Sequence, residues 1–143
     1  MIQSGEFYYK PDEYEAERAS NSYLMSVAAI MVGLPMPVIN LIATAIFYFA
    51  NRRSTFYVRW HCMQALLGQA LTVGMNVVGV YWTVSIFYGV HQITNNYISY
   101  MITIVLFNLA EFIATVYAAV KTRKGKHVSW WFFGPLSDLL VKA

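Results

Sequence analysis

The chain has 143 residues, of which 58% are hydrophobic and only 12% are charged. Soluble domains carry about 25% charged residues, so this composition excludes an ordinary soluble domain and indicates a membrane protein. The net charge of +3 comes from basic residues beside apolar segments, which indicates membrane orientation and argues against nucleic-acid binding. With one cysteine, Cys62, the chain has no intrachain disulfide and no cysteine-based metal site.

Residues 1–20 are polar and net acidic, with aromatic residues interspersed. This composition predicts a tail or a short surface helix, and Pro11 suits the first turn of such a helix. A secretory signal begins with basic residues followed by an apolar run, so we expect no cleaved signal here.

The first hydrophobic segment runs from Ser22 to Ala50. A straight helix of this length would measure roughly 43 Å, longer than a bilayer core of about 30 Å. Pro35 and Pro37 each lack an amide hydrogen and clash with the preceding turn, so they predict a break between helices at about 22–34 and 38–50. The two pieces form either one kinked span or a hairpin that folds back.

The second and third hydrophobic segments predict helices at about 60–88 and 97–120, each long enough to span a bilayer. The sequence therefore predicts an all-α integral membrane protein with a transmembrane domain at 21–127. It is a small bundle of three hydrophobic segments, and the broken first segment brings the number of helices to four.

Basic residues orient the bundle. Arg52, Arg53 and Arg59 lie in the 51–59 loop and four more basic residues lie in the 121–127 loop, whereas the turn at 89–96 has no formal charge. Positive loops face the cytoplasm, which predicts a bacterial cytoplasmic (inner) membrane with both basic loops inside, or alternatively an organelle inner envelope. The side of the N-terminus stays open.

The C-terminal residues 128–143 are amphipathic and begin with a run of four aromatic residues, Trp130 to Phe133. Aromatic rings are enriched at the membrane–water interface. We therefore expect a short segment on the cytoplasmic face of the membrane.

Polar residues inside the hydrophobic segments form a candidate intramembrane site. Glu111 is the one formal charge between residues 60 and 120, and it suggests either a proton or cation site or an interhelical hydrogen bond. Asn40 and Asn76 suggest either polar contacts between helices or contacts with a substrate, and Asn108 and Thr115 share one stripe of a helix with Glu111. The candidate set is Asn40, Asn76, Asn108, Glu111 and Thr115.

Small residues recur at four-residue spacing and let helices approach closely. They predict either tight internal packing or an interface with another membrane subunit. The candidate helix-packing residues are Ala70, Gly74, Ala110, Ala114 and Ala118.

The stretch FYVRWHCMQALLGQ, which begins at Phe56, marks the start of the second segment. His61 and Cys62 are adjacent and point about 100° apart on a helix, so they do not form a catalytic pair. We interpret the stretch as a membrane boundary. Arg59 is its cytoplasmic anchor, Tyr57 and Trp60 lie at the interface, and the side chains fix the broken first segment against the second.

The same stretch resembles the Tic-twenty-like superfamily, which includes a membrane subunit of the chloroplast inner-envelope translocon and small bacterial relatives. The resemblance covers about residues 22 to 135, and it implies a four-helix membrane protein that is not an enzyme. The matching residues are Phe56, Val58, Arg59, Trp60, His61, Met63, Gln64, Ala65 and Leu66.

These observations predict a non-enzymatic subunit of a membrane complex, which the resemblance links to protein translocation. The alternative is a small oligomeric transporter or channel that uses Glu111 and the broken first helix. We expect no catalytic residues, no cofactor and no bound metal. The expected partners are the lipid bilayer and other membrane subunits or further copies of the chain, with no nucleic acid and no identifiable small-molecule substrate.

Overall fold

The computed structural model describes residues 2–33 and 37–142, with side chains described for 2–28 and 38–142. Within these residues the chain is mostly helical, with one short strand near each end. The elements are β1 (Ile2–Gly5), α1 (Glu13–Gly33), α2 (Pro37–Ala50), α3 (Phe56–Phe87), α4 (Asn95–Arg123), β2 (His127–Trp130) and α5 (Phe133–Leu140).

The helices α3 and α4 are long and apolar enough to cross a membrane, with 32 and 29 residues. At 1.5 Å per residue they measure roughly 48 and 43 Å. Only 22% of the most apolar window of each helix is buried inside the molecule, so most of this apolar surface faces outward.

The all-α prediction requires one correction, because β1 and β2 form an antiparallel two-stranded sheet. Ile2 pairs with Trp130 and Gly5 pairs with His127. Neither strand shows a long alternating pattern, and each depends on its partner from the opposite end of the chain. Local sequence patterns therefore gave no signal for them.

The first helix begins earlier than predicted, at Glu13, so residues 13–20 are its first two turns and not a separate tail. Asp12 caps it: the Glu15 backbone N–H donates to Asp12 Oδ1 at 2.7 Å, and the Asp12 N–H donates to Glu15 Oε2 at 2.9 Å. This reciprocal pair is a capping box, which satisfies two otherwise unpaired backbone donors. Pro11 precedes the cap and does not occupy the first turn.

The helices α1 and α2 form an antiparallel hairpin. Arg18 near the start of α1 donates to Asn51, just after the end of α2, at 2.7 Å. Further along, the hydroxyl oxygens of Ser26 and Thr44 lie 3.4 Å apart. Of the two alternatives for the first segment, the structure shows the fold-back and not the kinked span, although the predicted break residue Pro35 lies outside the described residues.

A second antiparallel hairpin joins α3 to α4, with its turn at residues 88–94. Asn76 faces Asn108, and Thr83 faces Tyr97 closer to the turn. The start of α3, the end of α4 and the start of α1 therefore lie at one end of the molecule. The observed helices extend beyond the predicted limits of 60–88 and 97–120 at that end.

A cap composed of β1, β2 and α5 packs at this end of the bundle. Together with α1 and α2 it covers the beginning of α3, where no residue from 56 to 69 is exposed. From Ala70 onward most α3 residues are exposed. The long helix α3 thus has a covered first part and a second part whose apolar surface is largely exposed.

Candidate functional site

The covered start of α3 contains a network of hydrogen bonds centred on Gln64. Its amide nitrogen donates to the Tyr23 hydroxyl at 2.8 Å and to the Val128 carbonyl at 3.0 Å. Its amide oxygen accepts from the Trp130 backbone N–H at 2.9 Å. One side chain therefore connects α3 to α1 and to β2.

His61 extends this network by one step, because its Nδ1 lies 2.8 Å from the Tyr23 hydroxyl oxygen. The Tyr23 oxygen already accepts from Gln64, which leaves its own proton free to donate to His61 Nδ1. This arrangement favours the His61 tautomer with the proton on Nε2. The chain from Gln64 through Tyr23 to His61 then runs in a single donor direction and ends at His61 Nε2, which is buried and has no hydrogen-bond partner among the described residues.

Two further contacts fasten α5 to the first turns of α3. The Trp60 indole N–H donates to Asp138 Oδ1 at 2.6 Å, and the Arg59 guanidinium donates to the Lys142 carbonyl at 3.2 Å. Tyr57 donates to the Lys126 carbonyl at 2.9 Å. Tyr57 and Trp60, which the sequence placed at the membrane interface, are both buried beneath the cap.

The remaining residues of the predicted anchor motif lie in the same region with different neighbours. Phe56 stacks on Phe7 with ring centroids 5.9 Å apart. Val58 belongs to a buried cluster between α1 and α3, and Ala65 packs beneath the cap in a cluster with Trp130.

His127, at the start of β2, lies between the cap and α3. Its ring centroid is 4.3 Å from that of Trp60 and 5.2 Å from that of His61. Burial lowers the pKa of His127, and the Asp138 carboxylate opposes that shift by raising it. The neutral form of His127 therefore belongs to the packed cap.

Tyr9 links the N-terminal segment to the capping box, since its hydroxyl donates to Glu15 Oε1 at 2.9 Å. Burial raises the pKa of Tyr9, and the hydrogen bond to Glu15 adds to the shift. The neutral phenol is the form that donates this hydrogen bond.

The predicted intramembrane polar residues form two separate pairs between α3 and α4. Asn76 and Asn108 exchange amide hydrogen bonds of 3.0 and 2.8 Å. The Glu111 carboxyl oxygen Oε1 accepts from Gln69, a residue that the sequence analysis missed, at 2.5 Å.

Thr115 and Asn40 play other parts. The Thr115 hydroxyl donates to the Glu111 backbone carbonyl one turn away, at 2.8 Å. Asn40 is buried in α2, where its side-chain oxygen has no hydrogen-bond partner among the described residues. It forms no described hydrogen bond to the α3–α4 pairs, so the structure does not join the candidate set into one site.

The predicted helix-packing residues are distributed between the inside and the surface. Ala70, Gly74 and Ala110 are exposed, Ala114 is half-buried and Ala118 is buried. On α3 the close approaches occur instead at two glycines that the spacing pattern missed. A Cβ at Gly68 would lie 2.7 Å from the Trp130 ring, and one at Gly79 would lie 2.5 Å from Ile104 Cδ1.

Among the described residues no group of three or more histidine, cysteine, aspartate or glutamate side chains is placed to hold a metal ion. What the site does chemically is to hold α1, β2 and α5 around one end of α3. Several of its polar groups are occupied by these structural hydrogen bonds, whereas Arg59 Nε, His61 Nε2 and Ser137 Oγ are buried without a partner among the described residues.

The sequence profile of one protein family matches residues 19–136, which include most of α1, both long helices, β2 and the start of α5. The family is described as the magnetosome magnetite crystal formation protein family, MamF/MmsF. The chain belongs to the MamF/MmsF family. Comparisons with curated proteins and with solved structures gave no significant match.

Membership of the MamF/MmsF family corrects the predicted resemblance to the Tic-twenty-like superfamily, and the link to protein translocation falls with it. The shared pattern of an aromatic residue, Arg59 and Gln64 before an apolar run has a structural explanation. In this member of the MamF/MmsF family it supplies the side chains that attach a cap to the start of a long helix. Such a pattern indicates where a covered helix starts and does not by itself indicate a function.

Proposed function

We propose that this chain is a small integral membrane protein of the magnetosome membrane that takes part in magnetite crystal formation without catalysing a reaction. The observation that carries the proposal is the MamF/MmsF match across residues 19–136. The two long apolar helices and their outward-facing apolar surface support a position within a bilayer.

The orientation follows from the distribution of charge. The 51–55 connection and the turn after α4 lie at the capped end and include Arg52, Arg53, Lys124 and Lys126, whereas the 88–94 turn has no formal charge. Positive loops stay on the cytoplasmic side. The capped end then faces the cytoplasm, and the 88–94 turn faces the opposite side of the membrane.

We further propose that the chain acts as a member of a membrane assembly. The exposed Ala70 and Gly74 on the bare part of α3 offer close approach to another helix. Mild detergent extraction followed by mass measurement is expected to recover stoichiometric protein partners or more than one copy. Recovery of a monomer alone would remove this part of the proposal.

The test of the proposed function is deletion of the gene in a magnetite-forming host, with crystal dimensions measured by electron microscopy. Deletion is expected to change crystal size or number, and expression of the parent chain is expected to restore them. Crystals that are identical with and without the chain would contradict the proposal.

The alternative function is a small oligomeric transporter. The observation that favours it is Glu111 Oε2, which is buried and has no hydrogen-bond partner among the described residues. A Glu111→Gln variant reconstituted in proteoliposomes is expected to lose cation flux if this alternative holds. Equal flux in the variant and the parent removes Glu111 from any transport mechanism.

A further inference from the structure

The cap exposes two large aromatic side chains at the turn between β2 and α5. Trp131 is 75% exposed and Phe132 is 65% exposed, although their neighbour Trp130 is only 6% exposed and packs inside. A run of four aromatic residues is therefore divided by the fold. The buried members hold the cap to the bundle, and the two at the turn point away from it.

The position of this turn along α3 follows from contacts on both sides of it. β2 runs in the same direction as α3, from Lys126 beside Tyr57 to Trp130 beside Gly68. α5 then runs back, and Asp138 reaches Trp60. The turn at 131–132 is thus the part of the cap that reaches furthest along α3 toward its bare half.

The exposed apolar surface of α3 begins at the same position along the helix axis as the 131–132 turn. No residue from 56 to 69 is exposed, and exposure starts at Ala70 and Leu71, only one turn beyond Gly68. The turn at 131–132 therefore lies beside the point on α3 where the covered part ends and the exposed apolar surface begins.

The opposite face of the bundle shows an apolar surface at comparable height. Phe47 and Tyr48 near the end of α2 pack against the cluster that includes Val58 and Cys62, so the rest of α2 lies alongside the covered part of α3. Its outward side chains are exposed and apolar, as at Ile42 and Ile46. A bilayer that covers this face of α2 would therefore extend along the helix axes as far as the 131–132 turn.

We propose that Trp131 and Phe132 form a membrane-inserted tip, with both rings in the interfacial zone of the cytoplasmic leaflet. The indole of Trp131 favours this zone, where its apolar body is buried and its N–H stays hydrated. The Phe132 ring is apolar throughout and adds buried apolar area beside it. The proposal rests on the proposed membrane position of α3 and α4. It adds a contact between the protein and the bilayer that comes from the cap and not from a helix of the bundle.

Site-directed spin labelling tests this proposal on the full chain in vesicles of phosphatidylcholine and phosphatidylglycerol. A nitroxide is attached at Phe132→Cys, and its collision rates with oxygen and with a water-soluble nickel chelate are measured. Lys124→Cys supplies the aqueous reference and Leu106→Cys, on the exposed face of α4, supplies the bilayer reference. Cys62 is 1% exposed, so the labelled parent chain gives the background.

The label at 132 is expected to show a ratio of oxygen to chelate collisions several-fold above that at 124 and below that at 106. A ratio equal to that at 124 would place the turn in water and overturn the proposal. Exclusion of both reagents would mean that another protein surface covers the turn, which also overturns it. If the label at 106 showed the same collision ratio as the label at 124, α4 would not lie in the bilayer. That result would overturn both the membrane position of α4 and the membrane-inserted tip.

Quenching by brominated lipid provides a second measurement that needs no label. Lipids brominated near the head of the acyl chain are expected to quench the parent more strongly than a Trp131→Phe variant. Trp131 is exposed, so this substitution leaves the packed cap intact, and Trp130→Phe serves as the buried comparison. Equal quenching in the parent and Trp131→Phe would contradict insertion of the tip.

Discussion

Gly68 is the residue on α3 where the Trp130 ring lies closest to the helix, and it has room for hydrogen only. A Gly68→Ala substitution places a methyl group 2.7 Å from a ring carbon of Trp130, and that ring packs in a buried cluster with Tyr23 of α1 and Ala118 of α4. Overpacking of this kind costs about 1–3 kcal/mol. We expect the thermal unfolding midpoint in detergent, measured by circular dichroism, to fall by several degrees.

The matched control for this substitution is Gly74→Ala on the same helix. A Cβ at Gly74 meets no atom within 4 Å, so the methyl group is accommodated and the helix gains a better helix-forming residue. We expect an unchanged or slightly higher midpoint. Equal destabilisation by both substitutions would mean that the approach of Trp130 to Gly68 is not what limits this position.

His127 makes the cap sensitive to pH. Burial lowers its pKa in the folded chain, so the unfolded chain binds the proton more readily between that lowered pKa and the ordinary value of about 6.5. The contribution of neutral His127 to the free energy of unfolding is therefore fully present above about pH 6.5, and it is lost as the pH decreases from there through the lowered pKa. Thermal midpoints measured from pH 7.5 to pH 5 should decrease in the parent.

A His127→Gln variant is expected to show a smaller decrease over the same range, because it has no imidazole to protonate. His91→Gln removes an exposed imidazole in the 88–94 turn and should keep the slope of the parent. If His127→Gln and the parent lose stability in parallel, another group is responsible for the pH dependence.

From the sequence it was possible to predict that polar side chains inside the hydrophobic helices have hydrogen-bond partners. It was harder to predict which residues those partners are. Asn40 and Asn76 were read as polar contacts between helices, and the structure pairs Asn76 with Asn108 and not with Asn40. Glu111 is paired with Gln69, which was not among the candidate residues, and Gly68 carries the close approach assigned to Gly74. Such pairings depend on helix rotation and height, which a spacing pattern alone leaves open.

At the scale of elements, the capping box at Asp12 and Glu15 fixes where α1 begins. Replacing an N-cap aspartate by alanine costs about 1 kcal/mol. We expect Asp12→Ala to lower the thermal midpoint by a few degrees and to loosen the contact from Tyr9 to Glu15. Asp12→Ser retains a side-chain acceptor and is expected to recover most of the loss, so an equally unstable serine variant would argue against capping as the cause.

Hydrophobic length predicted the long helices well, because α3 and α4 consist largely of continuous apolar residues. The ends of these helices were less predictable. The covered turns at the start of α3 contain His61 and Gln64, whose polarity suggested a boundary, yet the helix starts at Phe56 because the cap and α1 satisfy those side chains. The strands had no local signal, since each forms only against a partner at the other end of the chain.

At the scale of the whole molecule, the α1–α2 hairpin predicts the side of the membrane on which the N-terminus lies. Both β1 and the turn after α4 lie at the capped end, with the 88–94 turn at the other end. In intact vesicles we expect a membrane-impermeant thiol reagent to label Gln3→Cys and Lys124→Cys from the same side. Gln92→Cys should be labelled from the opposite side.

The unsubstituted chain is the control for this labelling, because Cys62 is buried. Labelling of positions 3 and 124 from opposite sides would mean that the first segment crosses the membrane once. That result would contradict the hairpin and favour the kinked span.

The pairing of β1 with β2 has a consequence for biosynthesis. Residues 2–5 leave the ribosome well before their partners at 127–130, which are synthesised about 120 residues later. At roughly 5–20 residues per second, the N-terminal strand waits several seconds or longer for its partner. Both hairpins have been synthesised by then, so closure of the cap is a late event. A bulky fusion at the N-terminus, beside the pairing of Ile2 with Trp130, would therefore interfere with the last stage of maturation and leave membrane insertion unaffected.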